Sequence, residues 1–131
     1  MSQLVLAWAA DLMAGARIRG AARAVGTELR LVRGADELLG AAAAERPRLV
    51  VVDLEARGDP AGTIARLKAD GATAGIPVIA YAPHVRAAAL AAARAAGAER
   101  VLARGAFIRD LPHLLAAGGS PGGPPPPDAG R

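Results

Sequence analysis

The chain has 131 residues, 53 % of them hydrophobic but only 2 % aromatic. That supports one domain with a core of Ala, Val, Leu and Ile, and it excludes a two-domain enzyme and base recognition by aromatic stacking. The net charge of +4 reflects 16 basic and 12 acidic residues, and apart from Lys68 every base is an arginine scattered along the chain, so no clustered nucleic-acid footprint is expected.

The first apolar run, residues 3–8, reads as a strand. Asp11 then stands where an N-cap belongs, ahead of a helix over 12–25 stopped by Gly26, with Met13, Ala14, Ile18, Ala21, Ala22 and Val25 on one face. A strand over 28–33 and a helix from about Asp36 to just before Pro47 follow. The run LVVVD marks a buried strand over 49–54, and Asp59 with Pro60 supplies a cap and an N1 proline for a helix reaching Lys68. A strand over 78–81 precedes a helix over 85–96 closed by Gly97, and a fifth strand over 100–103 precedes a helix starting near Arg109. Pro112 is tolerable there only within the first turn.

Five strands alternating with five helices over short connections predict an α/β fold: a flavodoxin-like doubly wound parallel sheet, order 2-1-3-4-5, with helices on both faces. Residues 1–118 form that domain. From Gly118 the sequence reads GGSPGGPPPPDAGR, and residues 119–131 are expected to be a disordered Pro/Gly-rich tail, a solubilising end rather than a ligand for an aromatic groove.

Several chemistries lack their residues. There is no cysteine, the serines are Ser2 and Ser120, and His84 and His113 are the only imidazoles. Disulfides, thiolate zinc sites and a Ser/His/Asp hydrolase are therefore excluded, and no metal centre is expected. No apolar run approaches the roughly 18 residues that span a bilayer, and the first basic residue, Arg17, comes too late for a secretory signal. A cytoplasmic protein without membrane contact is the expectation.

What remains is Asp53, an ionisable group ending the central strand at the edge where ligands bind in such sheets. The segments RPRLVVVDLEARGDPAGTIARLK, IPVIAYAP and AARAAGAERVLARGAF resemble the CheY-like receiver domain of two-component response regulators, over about residues 3–116. The resemblance implies that Asp53 holds the phosphoacceptor position. It also implies an acidic Mg²⁺-binding pair after the first strand, a Ser or Thr ending the fourth, and a Lys followed by Pro ending the fifth. Here those positions carry Trp8 and Ala9, Ala82, and Arg104 with Gly105, while Val101 stands where the family has its switch aromatic.

Asp11 reads as an N-cap in preference to a second carboxylate. Arg104 is expected to form a resident ion pair with Asp53 over the small Ala82, the alternative being that it points to solvent. His84, in the loop after the fourth strand, either tunes Asp53 by its charge or has no role, and Tyr81 is taken as core or rim packing.

The resulting expectation is a stand-alone, degenerate receiver (a pseudo-receiver): a non-enzymatic signalling module independent of phosphorylation. By the resemblance, its partners are proteins, such as a histidine kinase or a second copy, met through the face of the fourth helix, fifth strand and fifth helix. The alternatives are an orthodox phosphorelay receiver using Mg²⁺ and Asp53, and a nucleic-acid binder, which would need its arginines gathered on one surface.

Overall fold

The computed structural model describes residues 3–117, and the tail expected over 119–131 lies outside the described residues. Strands and helices alternate along the chain: β1 (Leu4–Trp8), α1 (Leu12–Ala24), β2 (Glu28–Val32), α2 (Ala35–Glu45), β3 (Leu49–Asp53), α3 (Pro60–Ala69), β4 (Val78–Ala82), α4 (Ala87–Ala96), β5 (Arg100–Ala103) and α5 (Arg104–Ala117). All strand pairings are parallel and the order is β2-β1-β3-β4-β5, the doubly wound sheet expected from the sequence.

Strand side chains alternate between two cores, as the period of two requires. On one face Leu4, Leu6, Trp8, Val50 and Val52 pack beneath α2, α3 and α4, through residues such as Leu38, Ile64 and Ala93. On the other, Val5, Ala7, Val51, Ile79 and Tyr81 pack beneath Ile18 of α1 and Phe107, Leu111 and Leu114 of α5. The three aromatic residues are all buried within these cores, so a chain poor in rings spends every one on packing.

The local signals operate as read. Asp11 accepts the Ala14 amide at the start of α1, Asp59 accepts that of Gly62 with Pro60 at N1 of α3, and Gly97 closes α4 at φ +103. A side chain at Gly97 would need that positive φ and would crowd Lys68, whose Cγ lies 3.1 Å from an added Cβ.

Three expectations are corrected. Met13 is 79 % exposed, because the buried face of α1 runs through Gly15, Ile18 and Ala22; at Gly15 the helix lies so close to Leu31 that an added Cβ would sit 3.1 Å from its Cδ1. Helix α4 begins at Ala87, leaving Val85 in the exposed preceding loop. Helix α5 begins at Arg104, five residues earlier than expected, so Pro112 lies inside it rather than in its first turn. Burial of Phe107 fixes this early turn and overrides the low helix propensity of Gly105.

The lone lysine is structural. At the edge of the sheet opposite Asp53, Lys68 Nζ donates to the carbonyls of Ala74 (3.1 Å) and Ile76 (2.7 Å) and to Glu99 Oε2 (2.6 Å), while Glu99 Oε1 accepts the Val78 amide (2.7 Å). One side chain thus ties α3 to the β4 entry and the α4–β5 turn. Lys68→Met should cost about 1–2 kcal/mol in denaturant unfolding, since two loop carbonyls lose their donor. Disrupting the exposed Arg30–Glu45 pair should cost about 0–1 kcal/mol, and equal losses from the two changes would refute the structural role.

Candidate functional site

The carboxyl edge of the sheet collects the ends of β1, β3, β4 and β5. Register places Asp53 directly beside Tyr81 on the neighbouring strand, and their shared parity turns both side chains toward the α1/α5 face. Asp53 is 5 % exposed. Its Oδ2 accepts the Ala10 amide at 3.0 Å and the Tyr81 hydroxyl at 3.1 Å, and its Oδ1 accepts the Glu55 amide at 2.9 Å. A buried carboxylate is tolerated only when such donors replace its hydration. Here they come from the β1–α1 connection, the loop after β3, and β4.

Tyr81 is therefore more than packing. Its ring stacks on Phe107 with centroids 3.8 Å apart and planes within 5°. Burial, reinforced by the charge of Asp53 and by the hydrogen bond to it, pushes the phenol well above the ordinary tyrosine range. A folded-state pKa that is raised means the contribution to stability is fully present below the unfolded value of about 10 and is lost as pH rises above it. Because Tyr81 is the only tyrosine, ultraviolet titration should show no phenolate in the native protein and its appearance together with unfolding above pH ~10. Ionisation near pH 10 with the fold intact would contradict the burial.

The expected Asp53–Arg104 ion pair is not formed. Among the described residues the ion pairs join Arg30 to Glu45, Lys68 to Glu99, Arg86 to Glu55 and Arg109 to Asp110. Neutral donors occupy Asp53, and Arg104, the first residue of α5, is exposed; its charge still acts on Tyr81, opposing the rise. Asp110, buried beside Arg109, is held below the ordinary carboxylate range by that guanidinium.

The remaining sequence candidates separate. Trp8 is buried in the α2–α4 core, and Ala9 packs partly buried against the opposite one. Asp11 caps α1, its Oδ1 2.8 Å from the Ala14 amide. Ala82 is fully buried at the end of β4, Val101 packs partly buried on the α2–α4 side, and His84 is exposed, without a side-chain hydrogen bond or ion pair among the described residues. A cleft of about 320 Å³ nevertheless gathers Asp11, Arg17, Asp53, Glu55, Tyr81 and Arg104. Arg17 and the tyrosine–aspartate contact were missed from sequence. Adjacent strand ends of like parity were the available signal for the latter.

The carboxylates that would hold a Mg²⁺ ion, commonly one or two, are already partly engaged. Asp53 uses three of its roughly four acceptor positions, one oxygen of Asp11 caps its own helix, and among the described residues no three His, Cys, Asp or Glu side chains converge.

No family model matches the sequence, and no curated protein matches it. Solved structures do. A Chloroflexus aurantiacus J-10-fl protein described as a response regulator superposes with a TM-score of 0.78 at 20 % identity, over 88 % of this chain and 95 % of its own. The chemotaxis response regulator CheY4 of Vibrio cholerae gives 0.76 at 15 % identity, over 88 % and 97 %. The receiver domain of the sensor histidine kinase PA1611 from Pseudomonas aeruginosa PAO1, solved with magnesium in its active-site cleft, gives 0.73 at 18 % identity, over 88 % and 98 %. At these identities the likeness establishes the fold: these structural neighbours are receiver domains. No helix among the described residues is long and apolar enough to cross a membrane.

Proposed function

We propose that the chain is a receiver-like signalling module of the two-component type that acts through protein–protein contacts and independently of phosphorylation. The observation that carries this reading is the state of Asp53, whose oxygens are bound by two backbone amides and the Tyr81 hydroxyl. Phosphoryl transfer depends on positioning and charge neutralisation, chiefly by a divalent cation, and the ends of β1 and β4 offer Trp8, Ala9 and Ala82 in place of the groups that would supply them. In this reading the protein is not an enzyme and works in the cytoplasm. Its partner is a histidine kinase or a second copy engaging α4, β5 and α5. Arginines dispersed over several elements argue against nucleic acid as that partner.

The second reading, phosphorylation of Asp53 by a histidine kinase with Mg²⁺, draws support from the magnesium-bound receiver among the structural neighbours. Incubation with acetyl phosphate and Mg²⁺ followed by intact-mass spectrometry separates the two. No phosphoryl adduct is expected. Stoichiometric acylphosphate at Asp53 would overturn the phosphorylation-independent reading.

A further inference from the structure

The cleft between α1 and α5 has an imbalance among its charged groups. Each of its carboxylates already has a partner: Asp11 accepts the Ala14 amide, Asp53 accepts three donors, and Glu55 Oε2 lies 3.0 Å from Arg86 Nε. Arg17 and Arg104 line the same cleft and, among the described residues, have neither an ion pair nor a hydrogen bond. Each guanidinium carries five N–H donors in a planar fork suited to a carboxylate. Among the lining residues the exposed Met13 and the partly buried Ile108 offer apolar surface, with Ile18 and Phe107 buried behind them. The volume of about 320 Å³ falls at the small end of the range for organic ligands.

We infer that this cleft binds a small organic monocarboxylate, its head gripped by Arg17 and Arg104 and its apolar body laid against Ile108 and Met13. Charge selects the monoanion. Asp11 and Asp53 stand in the same cleft as the two arginines. A dianionic phosphate would bring more negative charge close to those carboxylates than a monocarboxylate does. The inference deepens the phosphorylation-independent reading by supplying a reversible signal, and it rests on that reading only in taking Asp53 as a hydrogen-bonded wall of the site.

The test titrates the full-length protein with benzoate, benzamide and phenyl phosphate while amide resonances are followed by NMR. Benzoate should shift Ile18, Phe107 and Ile108. Arg17→Ala and Arg104→Ala, both at exposed positions, should each weaken it about tenfold, the order expected for one lost charge-assisted contact. Benzamide, equal in shape but uncharged, should bind at least about tenfold more weakly, and phenyl phosphate no more tightly than benzoate. The proposal is overturned if benzoate leaves those resonances unmoved, if neither arginine variant changes its affinity, or if benzamide or phenyl phosphate binds better. Acylphosphate formation at Asp53 would count against the earlier reading alone, because the benzoate titration reports the cleft independently.

Discussion

Trp8→Asp is expected to leave the chain unfolded. The substitution restores an acidic residue at the end of β1, but that position is 2 % exposed within the α2–α4 core. Truncating a buried Trp costs about 3–5 kcal/mol through lost burial and the cavity left behind, and an unpaired carboxylate in the same place adds further desolvation cost. Against a total stability of roughly 5–15 kcal/mol, that sum exhausts a small domain. Circular dichroism with denaturant titration would read it, with Trp8→Phe as the apolar control that keeps the fold. A Trp8→Asp protein as stable as the parent would show that the indole is not a core element. A metal-binding pair therefore cannot be rebuilt here by that single change.

Phe107→Ala carries the second large effect, about 3–5 kcal/mol for a fully buried ring. It also removes the stacked partner of Tyr81 and opens the wall of the cleft. With burial the main cause of the raised phenol, the Tyr81 titration should move back toward the ordinary tyrosine range in whatever variant remains folded. A loss below about 1 kcal/mol would place Phe107 among exposed substitutions and contradict its position in the core.

The strands were legible because parallel strands covered on both faces must be continuous apolar runs, as in LVVVD. Asp11, Asp59–Pro60 and Gly97 were legible because capping is local chemistry. The start of α5 was not, since it depends on Phe107 reaching Tyr81 across the fold, a contact that no local pattern records. Met13 failed for a related reason: the helical wheel fixes a period but not its phase, and the close approach of Gly15 to Leu31 sets that phase. At the site, Asp53 was found from its place at a strand end, but its partners were misjudged. Formal charge pointed to Arg104, whereas sheet register and two amides supplied donors already in position.

Pro112 gives α5 a built-in discontinuity. It has no N–H to offer the carbonyl of Ile108, so the helix lacks one rung midway along its length. Beyond that point Leu114 and Leu115 are buried, and Arg48 Nη2 clamps the Leu115 carbonyl at 2.6 Å. Before it lie Arg104, Phe107 and Ile108, the part that borders the cleft. With one rung missing, the two halves of α5 are held by separate anchors, Phe107 stacked on Tyr81 before the proline and Leu114 and Leu115 after it, so amide exchange should report two protected segments rather than one continuous helix.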